Sequence, residues 1–160
     1  MERIWAPWRS EYVGKESPSG CIFCAKLQAD NDDDNYVLLR ANKVFVVLNL
    51  YPYTNGHLMV APKRHVSELT ALEQEEAVEI IQLTQKFVQL LKLVFKPEGF
   101  NIGANLGKVA GAGVPGHFHV HIVPRWQGDT NFMTTINNTR VMSEGLKATY
   151  RKLKETIKNM

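Results

Sequence analysis

The sequence predicts an α+β fold in which an antiparallel sheet of five strands carries packed helices, one long and one C-terminal. Three short stretches rich in β-branched and aromatic residues, "YVLLR", "KVFVVLNL" and "HLMVAP", follow one another with only brief turns between them. Parallel strands need long crossovers, so these turns imply antiparallel pairing. Two later segments repeat their apolar residues every three to four positions, which is the period of a helix with one buried face. At 160 residues and 44% apolar content the chain suits a single domain over residues 1–160, since two cores cut from it would each bury too little surface.

Residues 1–20 form an N-terminal arm whose Trp5, Pro7, Trp8 and Tyr12 favour packing on the body, because exposed tryptophans are unfavourable in water. The stretch "ADNDDDNY" reads as a solvated acidic loop, its carboxylates repelling one another. The three strands come next, broken by "AN" and "YPYTNG". Thr70 followed by Glu73 has capping-box spacing, and Ala77, Ile80, Ile81, Thr84, Phe87, Val88, Leu91 and Val94 continue as the apolar face of a long helix up to Pro97 and Gly99. "FNIGANLG" returns to a strand, "KVAGAGVPG" is a loop, and "GHFHVHIVPRW" is the last strand, making a pair at the sheet's end. "QGDTNFMTTINNT" reads as a loop. Over 140–158, Leu146, Tyr150, Leu153 and Ile157 mark the C-terminal helix.

Lys and Arg outnumber Asp and Glu by 19 to 16 with no dense basic run, so nothing points to nucleic acid. The N-terminal residues lack the apolar core of a signal peptide, and no apolar run reaches the ~18 residues a membrane span needs, which makes cytoplasmic residence the expectation.

The chemistry concentrates in "GHFHVHIVPRW". Three of the five histidines, His117, His119 and His121, alternate there with Phe118, Val120 and Ile122. On a strand this puts the imidazoles on one face, spaced roughly 6.5–7 Å apart, and the apolar residues on the other. Such an array suits a metal or a phosphate-facing catalytic surface. The preceding loop favours the phosphate: Gly111, Gly113 and Gly116 let backbone N–H groups converge on an anion, although the same glycines would also serve a flexible turn. The two cysteines, Cys21 and Cys24, have a spacing that suits a metal or redox role over a disulfide framework. No βαβ pattern surrounds them to support a redox pair, and two buried free thiols remain an alternative.

The run from His117 to Trp126 resembles the signature of the histidine triad superfamily, His-φ-His-φ-His-φ-φ with φ apolar. The earlier "LNLYPYTNGHLMVAPKRH" is similar to that family's strand–turn–strand, so the likeness covers residues 20–126. "RIWAPWR" and "RWQGDTNF" resemble the bacterial branch that includes diadenosine tetraphosphate phosphorylases. The resemblance implies cleavage of nucleoside 5′-phosphoric anhydrides at the α-phosphate, with diadenosine polyphosphates and phosphorolysis favoured. Hydrolysis, nucleoside phosphoramidase activity and a catalytically vestigial nucleotide-binding module are the competing readings. In the favoured one His119 attacks phosphorus, which suits a neutral imidazole near pH 7. His121 helps bind the α-phosphate, and backbone around Gly113 stabilises its oxygens.

The resemblance also places His57 near the phosphates and Asn49 on the ribose, though Asn49 equally suits a strand-end turn. Gly113 stands where hydrolase relatives carry Gln, leaving Asn105 or backbone to supply that contact. For zinc-bearing members the resemblance implies a closed, structural set of Cys21, Cys24, His65 and His117. It further implies a homodimer with sheets joined across a two-fold axis. Trp126 would then lie near the junction and the substrate, or serve only as core packing.

Overall fold

The computed structural model describes residues 20–137 and 141–159, so the expected N-terminal arm lies outside the described residues apart from Gly20. Five strands form one antiparallel sheet: β1 (Val37–Arg40), β2 (Val44–Leu48), β3 (Leu58–Pro62), β4 (Gly99–Gly103) and β5 (Val120–Arg125). Their order is β1-β2-β3-β5-β4. The first three make the expected meander. The last strand then inserts between β3 and β4, pairing Met59 with His121 on one side and Gly103 with His121 on the other. The histidine strand is therefore interior to the sheet, and β4 takes the edge.

Helix α2 (Gln74–Phe95) lies across one face of the sheet with α4 (Leu146–Lys158) beside it. Ile80, Leu83, Phe87, Leu90 and Leu91 of α2 meet Val44, Val46, Leu48, Leu58, Val60, Phe118 and Ile122 in one core. Ile81 is 59% exposed, so the buried stripe runs through Leu83 and Leu90 instead. The helix starts later than Thr70. Residues Leu69–Ala71 make a 3-10 turn, and the capping box is Glu73 with Glu76, each side chain accepting the other's backbone N–H. Glu76 is also gripped by Arg64, with Nε–Oε1 at 3.0 Å and Nη2–Oε2 at 2.7 Å, which moves the start to Glu73.

The opposite face over β1–β3 is covered by α1 (Ile22–Gln28), a helix the apolar pattern did not announce. It buries Phe23 on Val37, Phe45, Val47, Met59 and Ala61. The acidic loop is tied down rather than freely solvated: Arg40 Nε donates to Asp32 at 2.8 Å and the Tyr150 hydroxyl donates to Asp33 at 2.8 Å. Within "QGDTNFMTTINNT", Phe132–Asn137 form a short helix, α3, where a loop was expected. The C-terminal helix begins at Leu146, because 141–145 are non-helical and Gly145 is its N-cap.

Candidate active site and metal centre

Regular pairing of β5 begins at Val120, three residues later than the alternation of histidines suggests. Before it, the chain is held by contacts outside the ladder. The Phe118 N–H donates to the Val66 carbonyl at 2.6 Å, and the Pro62 carbonyl accepts from His117 Nε2 at 2.8 Å. The alternation survives this departure. Phe118 and Ile122 sink into the α2 core, while the His119 and His121 rings lie 4.8 Å apart in an edge-to-face arrangement.

Each ring's partners determine which nitrogen carries its proton. His119 Nδ1 lies 2.8 Å from the His117 carbonyl, which can only accept, so Nδ1 is the N–H and Nε2 keeps its lone pair. The Tyr53 N–H, which can only donate, points at His57 Nδ1 at 3.1 Å. His57 therefore carries its proton on Nε2 and donates it to His121 Nδ1 at 2.9 Å. That leaves His121 with an Nε2–H. The segment running into β5 thus presents an Nε2 lone pair at His119, and the strand itself a hydrogen-bond donor at His121.

Burial lowers the pKa of His119 and outweighs the opposing hydrogen bond to the carbonyl. Burial, then the neighbouring His119, push His121 down to about 4. Both rings are neutral at pH 7, as these tautomers require.

A cleft of about 320 Å³ opens beside His121, lined among others by Tyr53, Asn101, Asn105 and Arg125. Arg125 is oriented by both carboxylate oxygens of Asp129, at 2.6 and 2.9 Å, and by Asn101 at 2.6 Å. Asn105 donates to the Gly111 carbonyl at 3.2 Å and so anchors the glycine loop at the cleft. In that loop Gly111 has φ +86°, a left-handed conformation that disfavours a side chain. The Gly111 and Ala112 amides close turns onto Lys108 and Gly107. Among the described residues the Gly113 amide has no partner, and an added Cβ at Gly113 would meet nothing within 4 Å.

His57 is fully buried behind His121 rather than lining the cleft. Asn49 performs the turn role: its Oδ1 accepts the Tyr51 N–H at 2.9 Å, and its Nδ2 sits 3.4 Å from the His57 ring nitrogens. Trp126 is half-buried, with its backbone N–H on Asp129 at 3.1 Å. Tyr53, which fixes the His57 tautomer, and Asn101 and Arg125 carry no spacing signal in the sequence. Only the order of strands brings them to His121.

The second constellation lies on the other side of His117. One ligand atom from each of Cys21, Cys24, His65 and His117 falls within 4.8 Å of all the others. His117 Nδ1 is 3.2 Å from Cys21 Sγ and 3.7 Å from Cys24 Sγ, and His65 Nδ1 is 3.3 Å from Cys24 Sγ. These separations match the edges of a tetrahedron around a zinc-sized ion with bonds of ~2.0–2.3 Å. Because the Pro62 carbonyl holds the Nε2 proton of His117, its Nδ1 lone pair faces the thiols, as a ligand requires. Burial and the adjacent Cys21 raise the Cys24 thiol, so a cation is what would let both sulfurs be thiolates together. The donor set therefore fits a closed four-ligand metal site.

This fold, with alternating histidines leading into an interior strand and a glycine loop before them, defines the class of protein. The model for the HIT domain matches residues 30–128, and the chain belongs to the histidine triad family. At the level of individual proteins, it is 42% identical over 161 residues to the AP-4-A phosphorylase of Mycobacterium tuberculosis, covering 96% of this chain and 83% of that one. Among solved structures, a Zn-bound histidine triad family protein from Mycobacterium smegmatis superposes with TM-score 0.71 and 27% identity, covering 87% of this chain and 94% of that one. A HIT family protein from Bacillus anthracis gives TM-score 0.62 and 28% identity, covering 89% and 98% respectively.

Proposed function

We propose that this chain is a nucleotidyl-transferring histidine triad enzyme that cleaves diadenosine tetraphosphate by phosphorolysis. The observation that carries the reading is the 42% identity, over 96% of the chain, to a protein named for that activity. The site supports it with a neutral His119 whose Nε2 lone pair is free to attack. In the first step His119 Nε2 bonds to the α-phosphorus and the bond to the bridging oxygen breaks, releasing ATP and leaving a nucleotidyl-histidine. In the second, an oxygen of inorganic phosphate attacks the same phosphorus, forming ADP and restoring the imidazole. Splitting one displacement into two is the gain from a covalent intermediate.

His121 Nε2–H donates to an oxygen of the α-phosphate in both steps, and His57 acts through His121 by holding its tautomer. The Gly113 amide supplies a backbone donor, and Asn105 stands where it can contact the phosphates or the acceptor. Gly111 provides the left-handed turn that shapes the loop, while Asn49 and Trp126 border the nucleotide. Zinc on Cys21, Cys24, His65 and His117 is structural, since four protein ligands leave no open position. When bound, it locks the thiolates and the His117 ring. A cytoplasmic setting accords with two free thiols. We read 1–160 as one domain that pairs through the β4 edge as a homodimer.

Product analysis tests the acceptor. Diadenosine tetraphosphate in excess phosphate should give ADP and ATP in equal amounts, whereas AMP with ATP at saturating phosphate would make the enzyme a hydrolase.

A further inference from the structure

Between the two cysteines stands Phe23. It is fully buried, and its ring centroid lies 5.1 Å from that of His117 and 5.0 Å from that of His119, both at tilted angles. The ring also meets Phe45 of the sheet in an edge-to-face arrangement, with centroids 6.0 Å apart. One aromatic ring therefore touches a metal-site imidazole and the attacking imidazole, and is itself backed by the sheet. Its backbone is flanked by cluster residues on both sides: Cys21 is the N-cap of α1, Cys24 lies in its first turn, and both belong to the four-ligand cluster.

We propose that Phe23 is the positioning residue for His119, a wedge set by the cysteine pair that holds the imidazole where its Nδ1–H meets the His117 carbonyl and its Nε2 faces the phosphorus. The inference rests on the proposed role of His119 as the attacking group. Physically, the His119 ring can swing about χ1 and χ2, and one hydrogen bond at 2.8 Å leaves rotation about that bond open. A tilted aromatic neighbour closes that freedom by packing. The same ring keeps water off the inner face of His119, which is only 5% exposed. Near-attack geometry is sensitive to displacements of about 1 Å, so losing the wedge should slow attack more than it weakens nucleotide binding.

The test uses full-length, zinc-loaded protein. For Phe23→Ala we expect zinc stoichiometry and nucleotide Kd within about twofold of the parent, and a single-turnover rate of nucleotidyl-histidine formation at least about tenfold lower. Phe23→Leu, which refills most of the space, should recover about half of that loss on a logarithmic scale, leaving the rate about threefold below the parent. It also serves if the alanine variant does not fold. In carbon-edited NMR spectra the His119 ring protons should move in both variants, because the Phe23 ring current is removed. An unchanged adduct rate in zinc-replete Phe23→Ala or Phe23→Leu would overturn the proposal. So would a loss of rate that only tracks loss of zinc. If the parent forms no adduct on His119, the nucleophile assignment fails instead, a result separate from an adduct that forms at the same rate with and without Phe23.

Discussion

At the scale of single residues, two imidazoles two positions apart differ in which nitrogen carries the proton because their partners differ. A backbone carbonyl takes the Nδ1 proton of His119, and the Nε2 proton of His57 faces Nδ1 of His121. His119→Ala should therefore lose about a thousandfold or more in turnover while nucleotide affinity changes little, measured by initial rates and calorimetry on the same preparation. His121 also makes stability depend on pH. Its folded pKa of about 4 lies below the ~6.5 of an unfolded histidine, so between those values the unfolded chain binds more protons. Its contribution is complete above pH ~6.5 and is lost as pH falls towards 4. Comparing Tm of the parent with His121→Gln isolates this effect from the carboxylates: the parent should lose more Tm than the variant between pH 7 and pH 4.5.

At the scale of elements, the β2–β3 turn delivers His57 and Tyr53 to the site, and it does so pressed against α2. Gly56 has φ +78°, and a Cβ there would stand 3.0 Å from Leu91 and 3.2 Å from Phe95. Leu91 is fully buried and has little room to yield. Gly56→Ala should cost about 1–3 kcal/mol through the left-handed backbone and overpacking together, read by urea denaturation. The start of α2 is a similar junction. Arg64 reaches Glu76 of the capping box while its neighbour His65 turns to the cysteines, so one short segment fastens both the long helix and the metal cluster.

At the scale of the whole molecule, the Cys21, Cys24, His65 and His117 cluster joins α1, the segment after β3 and the approach to β5, which are otherwise far apart in sequence. Purified protein should hold about one zinc per chain, and removing it should lower Tm by tying these elements less firmly. None of the four cluster residues lines the cleft beside His121. The rate in the fraction that stays folded after stripping should thus fall no further than in Phe23→Ala, checked by thermal denaturation and single turnover on chelated protein. The cleft beside Arg125 is lined by Asn101, Ile102 and Gly103 of the edge strand β4, so the site opens at the end of the sheet.

What the sequence determined by itself was local or periodic. The three strands and the amphipathic helices follow from apolar spacing, and the alternation of His117, His119 and His121 names a chemical face before any coordinates. The Cys-x-x-Cys spacing likewise announces a metal or redox pair, and the family signature joins it to His65 and His117. The rest required the fold. No periodicity encodes the insertion of β5 between β3 and β4, because strand order is a choice among long-range pairings of similar local energy. Helix α1 is seven residues long, too short for its apolar period to stand out, and it exists because Phe23 has a pocket to fill and Cys24 has partners to meet. The helix start at Glu73 rather than Thr70 was settled by Arg64, and the proton positions on the histidines by a carbonyl at residue 117 and an amide at residue 53. Residue types state which chemistry is available; only tertiary contacts, by supplying each imidazole with a donor or an acceptor, decide which ring keeps a lone pair on Nε2 and which one presents an N–H there.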